Sequence, residues 1–398
     1  NRFPMDWDDV PRRFAAGSRG AESEIHLVEN NRMSQVTDRV VSPVLTAFHI
    51  EGEILDSDLV ERGHINRTYT STVKKEGAVK RYVHQRINTY VFRDPEGLMG
   101  NVQRVLNHLA AKNGDHPLRL VPTLEGAIYF VDEEHGFWRT YEFVEDTTVF
   151  DQVESPEVAY QAARAFGAFL NDLGDLDAAQ LVDTIPNFHN TPHRVGTFRT
   201  TLAQASGERR AEAAPEIAFA QTHVGIADRL VRVMKEDPRA RRVTHNDTKV
   251  NNVLFSAENG QGVCVIDLDT VMAGTVLYDV GDLLRTACNT GKEDDQDLSR
   301  ITHAYDHYEA VVSGFVDSLG DQLRPAEWEA IPYAGLVMTY QQMVRFLTDY
   351  LDGDRYFKID YPEHNLVRAR AQAKLFTEMM ARLEDQQAFV KSRKIVMA

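Results

Sequence analysis

The sequence predicts an α+β protein in which a small, sheet-rich lobe precedes a larger helical lobe. Between residues 51 and 88, β-branched segments such as TYTSTV and RYVHQRI alternate with polar positions around the turn KKEGA. After residue 151 the pattern becomes helical, with one compact β segment near residues 253–266. We therefore expect an N-terminal extension over 1–45, an N-lobe over 46–145 and a C-lobe over 146–398.

The elements of the N-lobe follow from local patterns. After the first strands, residues 95–112 are helix-like, and AIYFV and FWRTYEFVE read as two further strands. Residues before 45 are polar, lack periodicity and are interrupted by three prolines. We assign the extension no function.

The C-lobe begins with a helix whose ends are marked in the sequence. Ser155 suits the N-cap, Pro156 the first helical position and Gly174 the left-handed C-terminal end. Further helices are expected over 213–236, 296–319, 325–350 and 365–389. The acidic run KEDDQD at 292–297 resembles a cation site, but acids also collect in the first turn of a helix, which is the interpretation we favour.

Composition excludes several classes of function. Asp and Glu outnumber Lys and Arg by 60 to 44, giving a net charge of −16, and the basic residues are scattered. This argues against nucleic acid as a partner. No window holds the roughly 18 apolar residues that a membrane span needs, and the first residues lack a secretory pattern, so a cytoplasmic location is expected. The two cysteines, Cys264 and Cys288, lack the spacing of a zinc site.

The stretch RVTHNDTKVNNVLF, at 242–255, concentrates polar side chains between apolar runs. With the following sequence it predicts a hairpin centred on the pair Asn259-Gly260. In that register Asn252 and Asp267 face each other, with Cβ atoms about 4.5–5.5 Å apart. An amide oxygen and a carboxylate at this spacing suit one hard cation.

Asp247 lies five residues before Asn252 and is free to act as a base. A base and a magnesium site are the minimal equipment for phosphoryl transfer. In the alternative interpretation Asp247 forms a turn, Asn252 caps it and Asp267 ends a strand. His245 is expected to brace the loop, and Asp279 and Asp282 to cap the next helix and tie the loop down.

THNDTKVNNVLF followed by VIDLDTVMAGTVLYDVGD resembles the aminoglycoside phosphotransferase-like kinases, which share H-x-D-x-x-x-x-N and a later I-D aspartate. The resemblance implies a bilobal protein-kinase-like fold that uses ATP and Mg²⁺. Within it, Asp247 would be the base and Asn252 and Asp267 would bind the metal.

The motifs GHINRTY, YVHQRIN, HNTPHR and the long segment from residue 343 are similar to those of N-acetylhexosamine 1-kinases, over residues 50 to 385. This implies phosphorylation of GlcNAc or GalNAc at the anomeric hydroxyl, with Arg345 and Tyr356 holding the sugar. His64 lies in a loop with a single glycine, which either reaches sugar and phosphate or is a plain turn.

The resemblance also implies nucleotide contacts. Gln85 or its neighbour His84 occupies the place of a phosphate-pairing lysine, and the backbone of Phe143 and Val144 either pairs with a purine or is ordinary buried strand. The alternatives that remain open are an aminoglycoside, choline or homoserine kinase, and a catalytically silent binding relative. The oligomeric state is not predicted.

Overall fold

The structure is a computed structural model and describes residues 44–60, 65–114, 116–132 and 136–397. Residues 1–43, which make up nearly all of the predicted extension, and the candidate residue His64 lie outside these ranges. The fold is kinase-like, with a small antiparallel N-lobe sheet and a helical C-lobe, as the sequence predicts.

The first sheet has five strands in the order β1-β2-β3-β5-β4. Their bounds are β1 Glu53–Val60, β2 Arg67–Lys75, β3 Ala78–Arg86, β4 Phe130–Asp132 and β5 Gly136–Glu142. The predicted turn in KKEGA is confirmed: Glu76 and Gly77 both have positive φ, 51° and 86°, as a two-residue hairpin turn with the twist of its strands requires.

A buried histidine ties three strands of this sheet together. His84 on β3 hydrogen bonds through one ring nitrogen to Ser71 on β2 (2.8 Å) and through the other to Thr140 on β5 (2.9 Å). Burial lowers the pKa of His84 to about 3, so the ring is neutral. It therefore serves the sheet as a hydrogen-bonding strut.

Contacts divide the chain into two compact units. The sheet unit comprises the described residues up to Arg86 with Pro122–Thr140, and the helical unit comprises Ile87–Val121 with the residues from Tyr141 onward. Helix α1, Pro95–Asn113, thus belongs to the helical unit, whereas the predicted boundary placed it in the N-lobe. The reason is visible at Asn101, whose side-chain amide donates to the carbonyls of Val182 and Val271.

The helical unit is built around one long helix. The bounds of the helices are α2 Pro156–Asp172, α3 Thr191–Gln204, α4 Gly207–Glu212, α5 Ala214–Thr222, α6 Arg229–Glu236, α7 Val276–Ala287, α8 Tyr305–Leu319, α9 Pro325–Leu351, α10 His364–Ala381 and α11 Leu383–Met397. The long helix α9 packs against α3, α7 and α10, and α2 packs against α8. In the described part of the chain, no helix has the length and apolarity that crossing a bilayer requires.

The ends of α2 confirm one prediction and correct another. Ser155 is the N-cap and its Oγ accepts from the Val158 N–H, as expected. Gly174 is not left-handed, because the helix ends at Leu173 with φ −89°. A Cβ at Gly174 would lie 2.3 Å from Oε1 of Gln322, so a larger residue would displace this side chain, whose Nε2 donates to Asn171 Oδ1.

Three predicted helix bounds are also wrong. The 213–236 and 365–389 segments are each interrupted, and α8 begins only at Tyr305. The acidic run 292–297 therefore does not form the first turn of α8. Its Glu293 instead pairs with Arg285, and its Asp297 accepts from the Ser299 N–H at the start of a short 3₁₀ turn.

Two small sheets carry the stretch at residues 242–255. One has β6 Thr147–Thr148, β8 Val253–Ser256 and β9 Gly262–Val265 in the order β6-β8-β9, and the other pairs β7 Arg242–Thr244 with β10 Met272–Gly274. The hairpin prediction is correct, but its register is wrong by one residue: Val253 pairs with Val265, and the Ile266 N–H donates to the Asn252 carbonyl. The cause is the loop, in which Gly260 has φ 70° but Asn259 does not have positive φ, so no two-residue turn forms.

Candidate active site

A buried carboxylate holds the loop between β7 and β8. Oδ2 of Asp279, on α7, accepts from the backbone N–H of His245 (2.8 Å), and Oδ1 accepts from that of Asn246 (2.7 Å). Burial raises the pKa of Asp279 to about 7, against the opposing effect of these two donors. The predicted loop-tying role of Asp279 is confirmed, whereas the cap of α7 is Thr275.

His245 braces the loop, as the sequence predicts. Its Nε2 donates to the Ile266 carbonyl (2.9 Å), and its Nδ1 accepts from the Asp247 N–H (3.2 Å). Together these two hydrogen bonds fix the neutral tautomer that carries its proton on Nε2. Burial lowers the pKa of the His245 ring. The brace thus joins the backbone of Asp247 to the residue before Asp267.

The carboxylate of Asp247 is partly exposed and engaged on both oxygens. Lys249 Nζ lies 3.0 Å from Oδ1, and Asn252 Nδ2 lies 3.2 Å from Oδ2. Burial raises the pKa of Asp247, but the adjacent Lys249 more than offsets this, so the pKa is below its usual value. The candidate base is therefore ionised at neutral pH.

Lys249 is a site residue that the sequence analysis missed. Its pKa is raised, mainly by Asp247 and further by Asp282 and Glu293. The sequence does contain a signal for Lys249, because this lysine lies only two positions after the candidate base Asp247 in the same loop. An ammonium here is suited to face a transferring phosphoryl group.

We expect Lys249→Met to move the acidic limb of the kcat/KM pH profile to higher pH. Without the ammonium the largest influence that lowers the pKa of Asp247 is lost, and burial raises this pKa against the smaller opposing effects of His245 and Arg285, by about 1–3 units for loss of an opposite charge at this distance. Lys249→Arg keeps the charge and should keep the limb near its wild-type position. An unshifted limb in Lys249→Met would show that another group controls the profile.

Asn252 and Asp267 fit the predicted metal site in chemistry. Asn252 Nδ2 also donates to the Asp247 carbonyl (2.8 Å), so the amide oxygen is directed away from Asp247. Asp267 follows β9 with a left-handed φ of 60°, a conformation that aspartate tolerates. Among the described residues no three His, Cys, Asp or Glu side chains form a metal-binding group. One amide and one carboxylate would suit magnesium, which usually completes its shell with phosphate and water.

The predicted acceptor residues meet near the end of α9. The Arg345 guanidinium lies 5.3 Å from the ring centroids of both Phe188 and Phe357, and its Nη1 donates to Gln342 Oε1 (2.9 Å). Burial lowers the pKa of Arg345, while Tyr356 opposes this. Tyr356 itself is 56% exposed. The structure thus brings Arg345 and Tyr356 together, and their role in holding a sugar stays a prediction.

A second arginine, absent from the sequence analysis, adjoins Arg345. Arg194 on α3 donates through Nε and Nη2 to the Phe188 carbonyl. Burial and then Arg345 lower the pKa of Arg194 to about 10, whereas Tyr356 opposes the shift. No local sequence pattern marks Arg194, because it approaches Arg345 only through helix packing.

Comparison with known proteins agrees with this geometry. The profile described as "Phosphotransferase enzyme family" matches residues 58–313, well over half of the chain. The chain belongs to this phosphotransferase family. The match supports the superfamily that the catalytic motif predicted.

Solved structures share the fold at low sequence identity. A microcompartment-associated aminopropanol kinase has a TM-score of 0.56 at 15% identity, covering 88% of this chain and 98% of that one. A spectinomycin phosphotransferase in complex with ADP and spectinomycin gives 0.55 at 14% identity, covering 87% and 98%. Choline kinase from Cryptosporidium parvum gives 0.51 at 12% identity, covering 90% and 97%.

Gln85, one of the residues predicted to contact the nucleotide of this phosphotransferase, lies in the sheet unit. Its Oε1 accepts from Arg139 Nε (2.9 Å) and its Nε2 donates to Thr68 Oγ1 (3.3 Å). Arg139 is fully buried. In the structure the Gln85 amide is hydrogen bonded to Arg139 and to Thr68. A phosphate that binds Gln85 would have to replace one of these two hydrogen bonds.

The predicted connector residues follow β5 and are both half-buried. The Val144 carbonyl accepts from Thr147 Oγ1 (2.8 Å), and within the described residues no partner of the Val144 N–H is found. A purine edge that needs a donor would match this N–H, and Phe143 stays a candidate alongside it. His64 lies outside the described residues.

Proposed function

We propose that this phosphotransferase transfers the terminal phosphoryl group of ATP to the anomeric 1-hydroxyl of an N-acetylhexosamine, GlcNAc or GalNAc, with Mg²⁺. The sugar assignment rests on the resemblance of the motifs around Tyr82, His189 and Met343, and on the acceptor side of the helical unit. The donor assignment is supported by family membership and by the ADP in the spectinomycin phosphotransferase complex.

The observation that carries the acceptor class is the pair Arg194 and Arg345. Within the described part of the chain, no salt bridge within 4 Å joins a carboxylate to either guanidinium, and the more distant Glu293 influences the pKa of Arg345 less than Tyr356 and Arg285 do. An acceptor with an ammonium group would add a third positive charge there, and like charges brought together at a binding surface cost several kcal/mol. Aminopropanol, choline and ethanolamine, named for the structural neighbours, carry such a group. A neutral sugar instead offers hydroxyl and acetamide oxygens, which guanidinium N–H groups bind well.

The reaction follows from the side chains around Asp247. Its ionised carboxylate accepts a hydrogen bond from the acceptor hydroxyl, aligns that oxygen and takes its proton as the new P–O bond forms. Lys249 offers a positive charge beside the same carboxylate, where negative charge on the phosphoryl oxygens needs compensation. Asn252 and Asp267 would hold magnesium, which supplies charge neutralisation on the phosphates when bound.

An acceptor panel tests the proposal. We expect GlcNAc or GalNAc to be phosphorylated with kcat/KM at least about 100-fold above choline, ethanolamine and aminoglycosides, because the arginine pair repels the amines. ³¹P NMR should show an anomeric phosphate. Phosphorylation of amines alone, or at another hydroxyl, would refute the acceptor assignment, and failure of every acceptor would favour a silent binding relative.

The panel has a matched arginine control. Arg345→Gln removes the guanidinium and should raise KM for the sugar about tenfold, the loss expected for a hydrogen bond to a charged group, with KM for ATP unchanged. Arg355→Gln removes a nearby, largely exposed arginine that pairs with Asp352 at 3.8 Å and should change neither constant. Equal effects of the two variants would contradict the role of Arg345.

A further inference from the structure

Four residues form a buried hydrogen-bonded chain behind the catalytic loop. Thr191 Oγ1 donates to Gln341 Oε1 (2.9 Å), and Gln341 Nε2 pairs with His189 Nδ1 (2.9 Å). His189 Nε2 pairs in turn with the Asn246 carbonyl (2.7 Å). Thr191, Gln341 and His189 are each no more than 6% exposed. A chain so enclosed has no water to replace a lost partner, so each bond in it matters.

Chemistry fixes the direction of every bond in this chain. The Asn246 carbonyl can only accept, so His189 Nε2 carries the proton and donates. In the neutral ring Nδ1 must then accept, which orients the Gln341 amide with its nitrogen toward the ring and its oxygen toward Thr191. Burial lowers the pKa of His189 to about 4, consistent with a neutral ring.

The two ends of the chain belong to different parts of the candidate site. Asn246 immediately precedes Asp247, and its backbone is left-handed with φ 66°. Gln341 lies four residues before Arg345 on α9, so both side chains leave the same face of that helix. Phe188, the neighbour of His189, packs under the Arg345 guanidinium.

The ring of His189 has little freedom to leave this position. Its centroid lies 4.4 Å from that of Phe188 and 5.3 Å from that of Tyr278 on α7. These contacts hold the imidazole between the loop and α9. The bridge is therefore fixed by packing as well as by hydrogen bonds.

We propose that His189 is a positioning residue that sets the spacing between the base Asp247 and the acceptor-binding Arg345 through its two ring nitrogens. The proposal rests on the acceptor site described above. Nε2 holds the loop that carries the base, and Nδ1 holds the helix that carries the guanidinium. His189 is 6% exposed and would act only through its two hydrogen-bonded partners.

Two isosteric substitutions separate the two bonds. In His189→Gln the amide nitrogen can keep the bond to the Asn246 carbonyl, while the acceptor for Gln341 is lost. In His189→Asn the side-chain oxygen can keep the bond from Gln341, while the donor to Asn246 is lost. One variant thus breaks the bond to α9 and the other breaks the bond to the loop that carries Asp247.

The two variants should change different kinetic constants. For His189→Gln we expect KM for the acceptor to rise about tenfold with kcat within about threefold. For His189→Asn we expect kcat to fall about 10- to 100-fold with that KM within about threefold, because the base is displaced. KM for ATP should not move in either. Wild-type constants in both, or the same proportional change in kcat and KM in both, would overturn the proposal.

Gln341→Met provides an independent check if a histidine variant fails to fold. It removes the donor to Nδ1 but leaves His189 and its bond to Asn246, so it should reproduce the raised acceptor KM. An unchanged KM would overturn the proposal. The assays use whichever acceptor the wild-type enzyme phosphorylates, so failure of the sugar assignment appears in the wild type and failure of the positioning role appears only in the variants.

Discussion

Asp247→Asn is expected to lower kcat about 10²–10⁴-fold, the range that a positioned general base contributes. Asparagine has nearly the same shape and can still accept one hydrogen bond, but it cannot take the proton of the acceptor hydroxyl. The backbone of residue 247 stays held by His245, and the preceding residues stay held by Asp279. The substitution should therefore change chemistry much more than structure.

The measurement is single-turnover kinetics together with thermal unfolding and nucleotide titration. Asp228→Asn is a suitable control, because Asp228 lies on the surface ahead of α6, away from the loop. The control should retain wild-type kcat. If Asp247→Asn folds normally and turns over within about threefold of wild type, Asp247 is not the base.

The parts of this molecule that sequence predicted well are those specified by local interactions. The turn at Glu76-Gly77, the Ser155 cap and the loop motif from His245 to Asn252 depend on residues within a few positions of each other. Such patterns act through backbone conformation and short-range hydrogen bonds, so they can be read along the chain. The loop-tying role of Asp279 was also predicted, although Asp279 lies 33 residues after Asn246 in the sequence.

The errors arose where packing overrides local preference. The Asn259-Gly260 pair favours a two-residue turn, but the longer loop places Asn252 beside Ile266, one residue from the predicted Asp267. Gly174 carries the usual signature of a helix end, yet it does not have positive φ and instead packs against the side chain of Gln322. Neither neighbour can be inferred from the few residues around the pattern.

The residues on the acceptor side show most clearly what local sequence patterns cannot predict. Arg194 and Arg345 are 151 residues apart in the sequence and come together only because α3 packs against α9. The resemblance selected Arg345, but nothing local selected Arg194 or the bridge made by His189. Their significance comes from burial and from the absence, among the described residues, of a salt bridge within 4 Å to either guanidinium group.

Asp267→Asn is expected to raise the Mg²⁺ concentration for half-maximal activity at least about tenfold and to lower kcat. Asp267 would supply the only carboxylate of the proposed pair, and replacing it with an amide removes the negative charge that favours a hard divalent cation. Activity measured over a Mg²⁺ titration should recover partly at high concentration, and the unfolding temperature should respond less to added Mg²⁺ and ADP than in the wild type.

The acidic run at 292–297 supplies the matched control for that experiment. Asp295→Asn removes a carboxylate from the segment that the sequence offered as a rival cation site, yet in the structure this run pairs with Arg285 and caps a short turn. The Mg²⁺ requirement of Asp295→Asn should therefore equal that of the wild type. A shift in Asp295→Asn with none in Asp267→Asn would move the metal to the acidic run. Because both variants lose one negative charge, the comparison separates a ligand from a general effect of the protein's net charge of −16.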